Sequence, residues 1–398
     1  MPESYVLVNS PAPAPLGILS ADRLTQIMSD SACKKLFDEF IAEHGPFDVI
    51  HFQTLEGISP NVLSLKEKYP QTKFIHTIHD YGLFCPNVRF WKAGGTNCVR
   101  NQCQEDCRSC MISTEFIPLK EYLLNRVGIS SFWLKQKMRL LWKLNRFSAK
   151  QLKPTSLIAK YNSIYLEYRK HCVELINQYI DVELAVSKRV KEIAIQYGVN
   201  PNKVEVNYIG TKVAENAKAA SAYLVENDSL TILYMGYAAP EKGFGFLVTA
   251  LRELNPDVAS KVTLKFASRM TPSTRDELYC LRTRFKDVIV YNGYSHADFP
   301  KIFKGVNMGV VPPLWEDNLP QVAIEMVANG IPVMTSKNGG AQELNSHPCF
   351  VFKDKNEFLE NLEQIFRNPS LLREYWNHST KLTTMEEHIN RLIEIYSK

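Results

Sequence analysis

The chain has 398 residues, 45% of them apolar and 22% charged, with 18 Gly and 21 Pro. This length and balance predict two packed domains and exclude collagen, a coiled coil or a disordered chain as the main state. The net charge is only +5, and no apolar run approaches the roughly 18–20 residues of a membrane span. The opening MPESYVLVNSPAPAP lacks the basic-then-apolar order of a secretory signal, so the expected compartment is the cytoplasm.

In chain order, YVLVNS (5–10), DVIHFQ (48–53) and KFIHTI (73–78) read as strands, and SACKKLFDEFIAEHG (31–45) as an amphipathic helix between them. The alternation predicts a parallel α/β sheet. His79 then stands at the carboxyl end of the third strand, where a satisfied core histidine is the plain reading. Five of the nine cysteines crowd into the next stretch: Cys85, Cys98, Cys103, Cys107 and Cys110. Cys107 and Cys110 have zinc-knuckle spacing, and Cys85 and Cys98 would complete a tetrad for a structural zinc. Unliganded thiols and disulfides are the other readings.

Residues 117–160 hold ten Lys and Arg against one acid, Glu121. Within 130–153, Leu134, Met138, Leu141 and Trp142 share one helical face. Lys135, Arg139, Lys143, Arg146 and Lys150 form the stripe beside it. A basic amphipathic helix of this kind suits an anionic membrane surface. The alternatives are a helix packed on its own domain with a solvated charged side, or nucleic-acid binding, for which no accompanying module is present.

ELAVS (183–187), a helix ending near Gly198 and KVEVNYI (203–209) follow, and a polar, Ala-rich stretch (211–228) marks a domain edge. TILYMG (231–236), VTLKFA (262–267), DVIVYN (287–292), MGVVPP (308–313) and IPVMTS (331–336) each read as a strand followed by a helix. Such near-continuous apolar runs belong to strands buried on both faces. The expected architecture is α/β: two doubly wound, Rossmann-like lobes with a central cleft. The divisions are an N-terminal lobe over 1–205, a C-terminal lobe over 206–380, and a terminal helix over 381–398 that returns toward the N-terminal lobe.

Three loops at strand carboxyl ends of the second lobe carry candidate ligand groups. In GYAAPEKGFGF (236–246), Gly236 opens the turn and Lys242 sits at the mouth of a helix, a setting suited to a diphosphate. In PPLWEDNLPQVAIEMVANG (312–330), Asn318-Leu319-Pro320 can open a helix that carries Glu325 about two turns along. Glu325 could accept hydrogen bonds from a ribose diol, and Asp317 could meet sugar hydroxyls. In SKNGGAQEL (336–344), Gly339 and Gly340 permit close approach of the backbone to a ligand. Singly, each reads equally well as an ordinary turn or a capped acidic helix start; together, at one sheet edge, they point to a nucleotide.

These motifs resemble the retaining glycosyltransferases of family 4, which have the GT-B fold, from about residue 45 to the end of the chain. The family's G-R-x-x-x-E-K-G loop reads GYAAPEKG (236–243), its E-x7-E pattern runs from Asp317 to Glu325, and WEDNLP (315–320) looks like a subgroup variant. AVS (185–187) and the stretch 292–313 also resemble family segments. The resemblance implies a UDP-, GDP- or ADP-sugar donor held mainly by the second lobe. Lys242 would contact phosphate, Glu325 the ribose, and Asp317 with the backbone of Asn318 and Leu319 the sugar. His79, in the family's His-Asp pair, would face that sugar across the cleft. The implied reaction is transfer with retention, without a catalytic cofactor, to a glycan or lipid-linked acceptor. Its implied setting is polysaccharide or glycolipid assembly, cytoplasmic and peripheral at the inner face of the membrane.

Two departures stand out. Tyr237 occupies the place of the family's Arg and brings neither charge nor a bidentate grip. The opening also lacks a Gly-rich loop: Gly17 is the only glycine before Gly45, PAPAPLG (11–17) is Pro-rich, and three strand candidates precede His79 where a full lobe has about four. The N-terminal lobe therefore reads as incomplete, and the second expectation is a non-catalytic protein of the same fold that binds a sugar nucleotide or a partner subunit.

Overall fold

The computed structural model describes residues 4–5, 21–55, 57–85, 87–92, 95–99, 107, 156–217 and 229–398. They fall into two compact units, one drawn from 1–94, 98–183 and 197–203, the other from 95–97, 184–196 and 204–398. The expected strand at 5–10, apart from Tyr5, and the basic segment 130–153 lie outside the described residues.

In the first unit, α1 (Ala21–Met28) and α2 (Ser31–His44) are separated by Asp30, whose carboxylate accepts the Cys33 N–H at 3.0 Å and caps the second helix. β1 (Val49–Phe52) and β2 (Lys73–Ile78) pair in parallel, Val49 opposite Lys73 and Phe52 opposite His76. Their connection is a 3-10 run, Pro60–Glu67, which starts at a proline where no helical N–H is needed. The 24-residue helix α3 (Ser156–Tyr179) precedes β3 (Val182–Ala185), which lies beside β2 in the sheet. These elements put two ionisable side chains in the interior. His76 Nδ1 lies 2.7 Å from Glu183 Oε1, and the His76 and Glu183 side chains are 5% and 0% exposed. Burial pulls the His76 imidazole down, but Glu183 and then Asp80 more than offset it, and the net shift is upward.

In the second unit, α4 (Lys188–Gln196) and β4 (Val204–Val206) lead to β5 (Leu230–Met235) and α5 (Phe244–Glu253). β6 (Val262–Ser268), β7 (Asp287–Asn292) and β8 (Met308–Val311) follow, then α6 (Gln321–Ala328), β9 (Val333–Ser336), β10 (Val351–Phe352) and α7 (Lys355–Arg367). The strands form one parallel sheet in the order β10-β9-β8-β5-β6-β7. Leu233, Val310 and Met334 of its central strands are fully buried, as the apolar runs require, and α6 adds Ala323 and Met326 to the same core. From β5 the chain winds outward one way through β6 and β7, then the other way through β8, β9 and β10. The order thus reverses between β5 and β8, the place where open α/β sheets make their ligand crevice.

The last helix, α8 (Met385–Ser397), starts in a capping box between Thr384 and Glu387. It is tied to residues of the second unit by His388 Nδ1, 2.9 Å from the Tyr208 carbonyl, and by Arg391, 2.6 Å from Glu205. Among the described residues, no helix is long and apolar enough to cross a membrane.

The buried His76–Glu183 pair gives stability a pH dependence. A histidine whose folded value is raised contributes stability in full below the ordinary value near 6.5, and loses that contribution as pH climbs through the raised one. Glu183→Gln removes the charge while keeping an acceptor. Its deficit in melting temperature should therefore be largest near about pH 6 and shrink toward about pH 9. A deficit that does not change with pH would show that the pair is not charged in the fold.

Candidate functional site

Three loops meet at the reversal point. The first follows β5, the second follows β8, and the third follows β9. The Leu314 N–H donates to the Glu241 carbonyl at 2.8 Å and joins the first to the second. The Gly340 N–H donates to the Asp317 carbonyl at 2.8 Å, and the Asn338 amide donates to the Pro313 carbonyl at 2.8 Å, joining the second to the third.

Gly236 closes β5, and its N–H donates to the Ala267 carbonyl at 3.1 Å. Lys242 lies just before Gly243, the left-handed N-cap of α5 (φ +77°). A Cβ on Gly243 would stand 1.8 Å from the Pro312 carbonyl oxygen, so only glycine lets this loop lie against the end of β8. The Lys242 ammonium is 2.6 Å from Asp317 Oδ2 and 4.9 Å from the Trp315 ring centre. Two of the site residues expected from sequence thus form an ion pair beside an aromatic face. Tyr237 is 70% exposed, and its side chain does not replace the missing guanidinium inside the loop.

Gly339 and Gly340 have a different reason from the expected one. A Cβ on Gly339 would lie 2.0 Å from the Asp317 carbonyl oxygen, and one on Gly340 2.2 Å from that of Asn318. The close approach these glycines permit is to the protein's own second loop. The Asn318 carbonyl also accepts from Ser187 Oγ at 2.9 Å, and the Leu319 side chain is buried in the core.

Sequence reasoning did not single out Glu316, yet it is the most completely buried acid of the site, at 0% exposed. Arg189 Nε and Nη2 donate to its two oxygens at 2.8 and 3.2 Å, the Gly339 N–H at 3.0 Å and the Asn97 amide at 3.0 Å. Burial alone would raise this carboxyl, but Arg189 foremost, then Gly339 and Asn97, hold it below the usual carboxylate range. Arg189 opens α4, whose first N–H groups, of Lys188 and Arg189, donate to Glu343 from beyond the third loop at 3.0 and 2.8 Å.

Glu325 sits in α6 as the spacing predicted, with a side chain only 12% exposed. His296, from the loop after β7, reaches it at 3.0 Å through Nε2. Tyr294 of the same loop is partly buried, and burial first, then the charge of Glu325, pushes its hydroxyl up to about 12. His296 had no local signal in the sequence, because it meets Glu325 only through the sheet order.

His79 belongs to the first unit, at the end of β2, where its Nε2 donates to Gln53 Oε1 at 3.0 Å. Nearby, His51 Nε2 is 2.7 Å from Thr77 Oγ1, so polar side chains gather at the carboxyl ends of β1 and β2. Of the expected zinc ligands, Cys85 and Cys98 are buried and Cys107 is partly buried. Burial raises the Tyr197 hydroxyl and Arg169 lowers it, while Cys85, Cys98 and Cys107 raise it. Cys110, with Cys103, lies outside the described residues. Among the described residues, no three His, Cys, Asp or Glu side chains are placed to hold a metal ion.

Residues 229–368, all in the second unit, match the family model described as "Glycosyl transferases group 1". An uncharacterized glycosyltransferase of Methanocaldococcus jannaschii, MJ1607, is 26% identical over 204 residues, 48% of this chain. That match takes in 52% of MJ1607, so the chain spans about half the length of this relative. Among solved structures, Alr3699/HepE of Anabaena in complex with UDP-glucose is similar at TM-score 0.53 and 14% identity, over 92% of this chain and 82% of that one. The sucrose-phosphate synthase of Thermosynechococcus elongatus is similar at TM-score 0.55 and 16% identity, over 95% and 78%. The fold is thus that of the GT-B glycosyltransferases, as the sequence resemblance implied, and the match over 229–368 supports a glycosyltransferase.

The Glu316 network makes the site sensitive to Arg189. Arg189→Ala should cost about 3 kcal/mol or more, because it strands a buried carboxylate without its counter-charge. Glu316→Gln, which keeps a carbonyl acceptor, should cost less. Urea unfolding of the two variants checks the order, and a loss under about 0.5 kcal/mol for Arg189→Ala would show that the loop is held otherwise.

Proposed function

We propose that the chain is a retaining glycosyltransferase of the family 4 type, which moves a sugar from a nucleotide donor to a glycan or lipid-linked acceptor. The observation that carries this reading is the placement of Lys242, Asp317 and Glu325 on loops and a helix flanking the sheet's reversal point, in the order the resemblance implies. Lys242 and the N-terminus of α5 would hold the diphosphate and stabilise its charge as it leaves. The ammonium has three donors, so it can donate to a phosphate oxygen while another N–H stays directed at Asp317. Asp317 and the turn at Asn318 and Leu319 would face the sugar, with Glu325 on the ribose; for His79 the sugar-facing role is the one the family resemblance implies. Binding of UDP-glucose by HepE supports a nucleotide-sugar donor here.

These positive groups supply the charge that a divalent ion would otherwise bring, so transfer is expected to proceed without a catalytic metal. A structural zinc on Cys85, Cys98, Cys107 and Cys110 is part of the same reading, resting on the spacing of these cysteines in the sequence; metal analysis of the purified protein tests it. The exposed Tyr237, in place of an arginine, favours the second reading, a binding protein without turnover.

Calorimetry against UDP-, GDP- and ADP-sugars, with hydrolysis followed in the same samples, separates the two. Lys242→Ala and Glu325→Ala should each weaken donor binding by about tenfold or more, the size of one charge-assisted hydrogen bond, with the melting temperature kept. Unchanged affinity in both overturns the site, and binding with no turnover in the presence of acceptor selects the second reading. The basic segment 130–153 would seat the enzyme on an anionic bilayer. Replacing Lys135, Arg139 and Lys143 with Glu should release it from phosphatidylglycerol vesicles, and a wild type that never sediments with them removes the membrane from the proposal.

A further inference from the structure

Glu325 is a carboxylate with open acceptor positions. Its side chain is 12% exposed, and His296 Nε2 is its hydrogen-bond partner at 3.0 Å, the only one among the described residues. An ionised carboxylate offers about four acceptor positions. Glu316, in the same unit, has four donors on its two oxygens and no room for a ligand. At Glu325 the remaining positions face solvent, where hydroxyl donors of a ligand can take the place of water.

His296 itself is held with care. The turn that bears it is closed by Ser295 and Asp298, through the Ser295 N–H and Oγ at 2.8 and 2.9 Å from Asp298 Oδ2. Its ring meets Phe299 edge-on at 4.9 Å, and Phe299 is itself buried. The side chain is nevertheless 78% exposed, so burial does not explain why it points at Glu325. A carboxylate only accepts, so the shared proton sits on His296 Nε2 and the tautomer is fixed by the contact.

We propose that His296 is a positioning residue for ribose recognition: by occupying one oxygen of Glu325 it fixes the carboxylate so that the other faces the diol of the donor nucleoside. The inference rests on the reading of Glu325 given above and adds the residue that sets its selectivity. Without His296 the carboxylate turns about its last side-chain bond, and the diol meets an acceptor that is present but not aimed. The expected loss falls on discrimination between ribose and deoxyribose more than on affinity for the diphosphate, which Lys242 carries from a different loop.

The test compares binding of UDP, GDP and ADP with binding of their 2′-deoxy counterparts, in wild type, His296→Ala, His296→Gln and Glu325→Gln. Wild type should prefer the ribonucleotide by about tenfold or more, the range of one hydrogen bond to a charged group. His296→Ala should reduce that preference to about twofold. His296→Gln, whose amide can donate to the same oxygen, should restore most of it. An unchanged preference in His296→Ala overturns the inference while leaving Glu325 as the ribose ligand. A wild type that binds nucleotide through Lys242 but does not distinguish the two sugars overturns the ribose role of Glu325, and the inference with it. If none of UDP, GDP and ADP binds, the donor site itself is refuted. Should His296→Ala melt early, the Gln variant against Glu325→Gln decides: equal loss of preference in both overturns the role assigned to His296.

Discussion

Taking a carboxylate out of water costs several kcal/mol unless its oxygens are matched, and the second unit meets that cost at Glu316. Four donors from three separate stretches, Arg189, Gly339 and Asn97, converge on its two oxygens. The loop after β8 therefore has little freedom. With Glu316 fixed inward, Asp317 is left to meet Lys242, and the Asp317 and Asn318 carbonyls become the surface on which the third loop rests. The two glycines of that loop follow from the same constraint, because a side chain at either would collide with this backbone. A site assembled from three loops thus depends on one buried charge that need never touch a ligand.

Much of the second sheet was legible from its residues. The strands fall within two residues of the expected ranges; the inner ones are buried on both faces and so read as unbroken apolar runs, while β7, at the sheet edge, is mostly only partly buried. Val351–Phe352 escaped notice because two residues carry no period. Lys242, Asp317 and Glu325 were singled out as candidates because they stand in local loop and helix-start patterns. Glu316 and His296 were not. Two adjacent acids look alike in a sequence, and which of them turns inward is decided by Arg189, 127 residues away. His296 lies 29 residues from Glu325, a separation that acquires meaning only once β7 and β8 occupy opposite sides of β5.

The first unit follows the same physics with a different emphasis. Its parallel pair β1 and β2 directs Gln53, Thr77 and His79 to one edge. Deeper in, His76 and Glu183 form a buried pair at 2.7 Å.

The contact between Lys242 and Asp317 has a kinetic consequence. A diphosphate of the proposed donor would not see a bare ammonium; it would see a tight pair of opposite charges, whose field falls away faster with distance than that of a single ion. At physiological salt even single charges are screened beyond about 8 Å. Capture of the anion is then a short-range event, in which the lysine is shared only once the ligand has arrived. Collision and fit, more than long-range attraction, would set how fast the site fills.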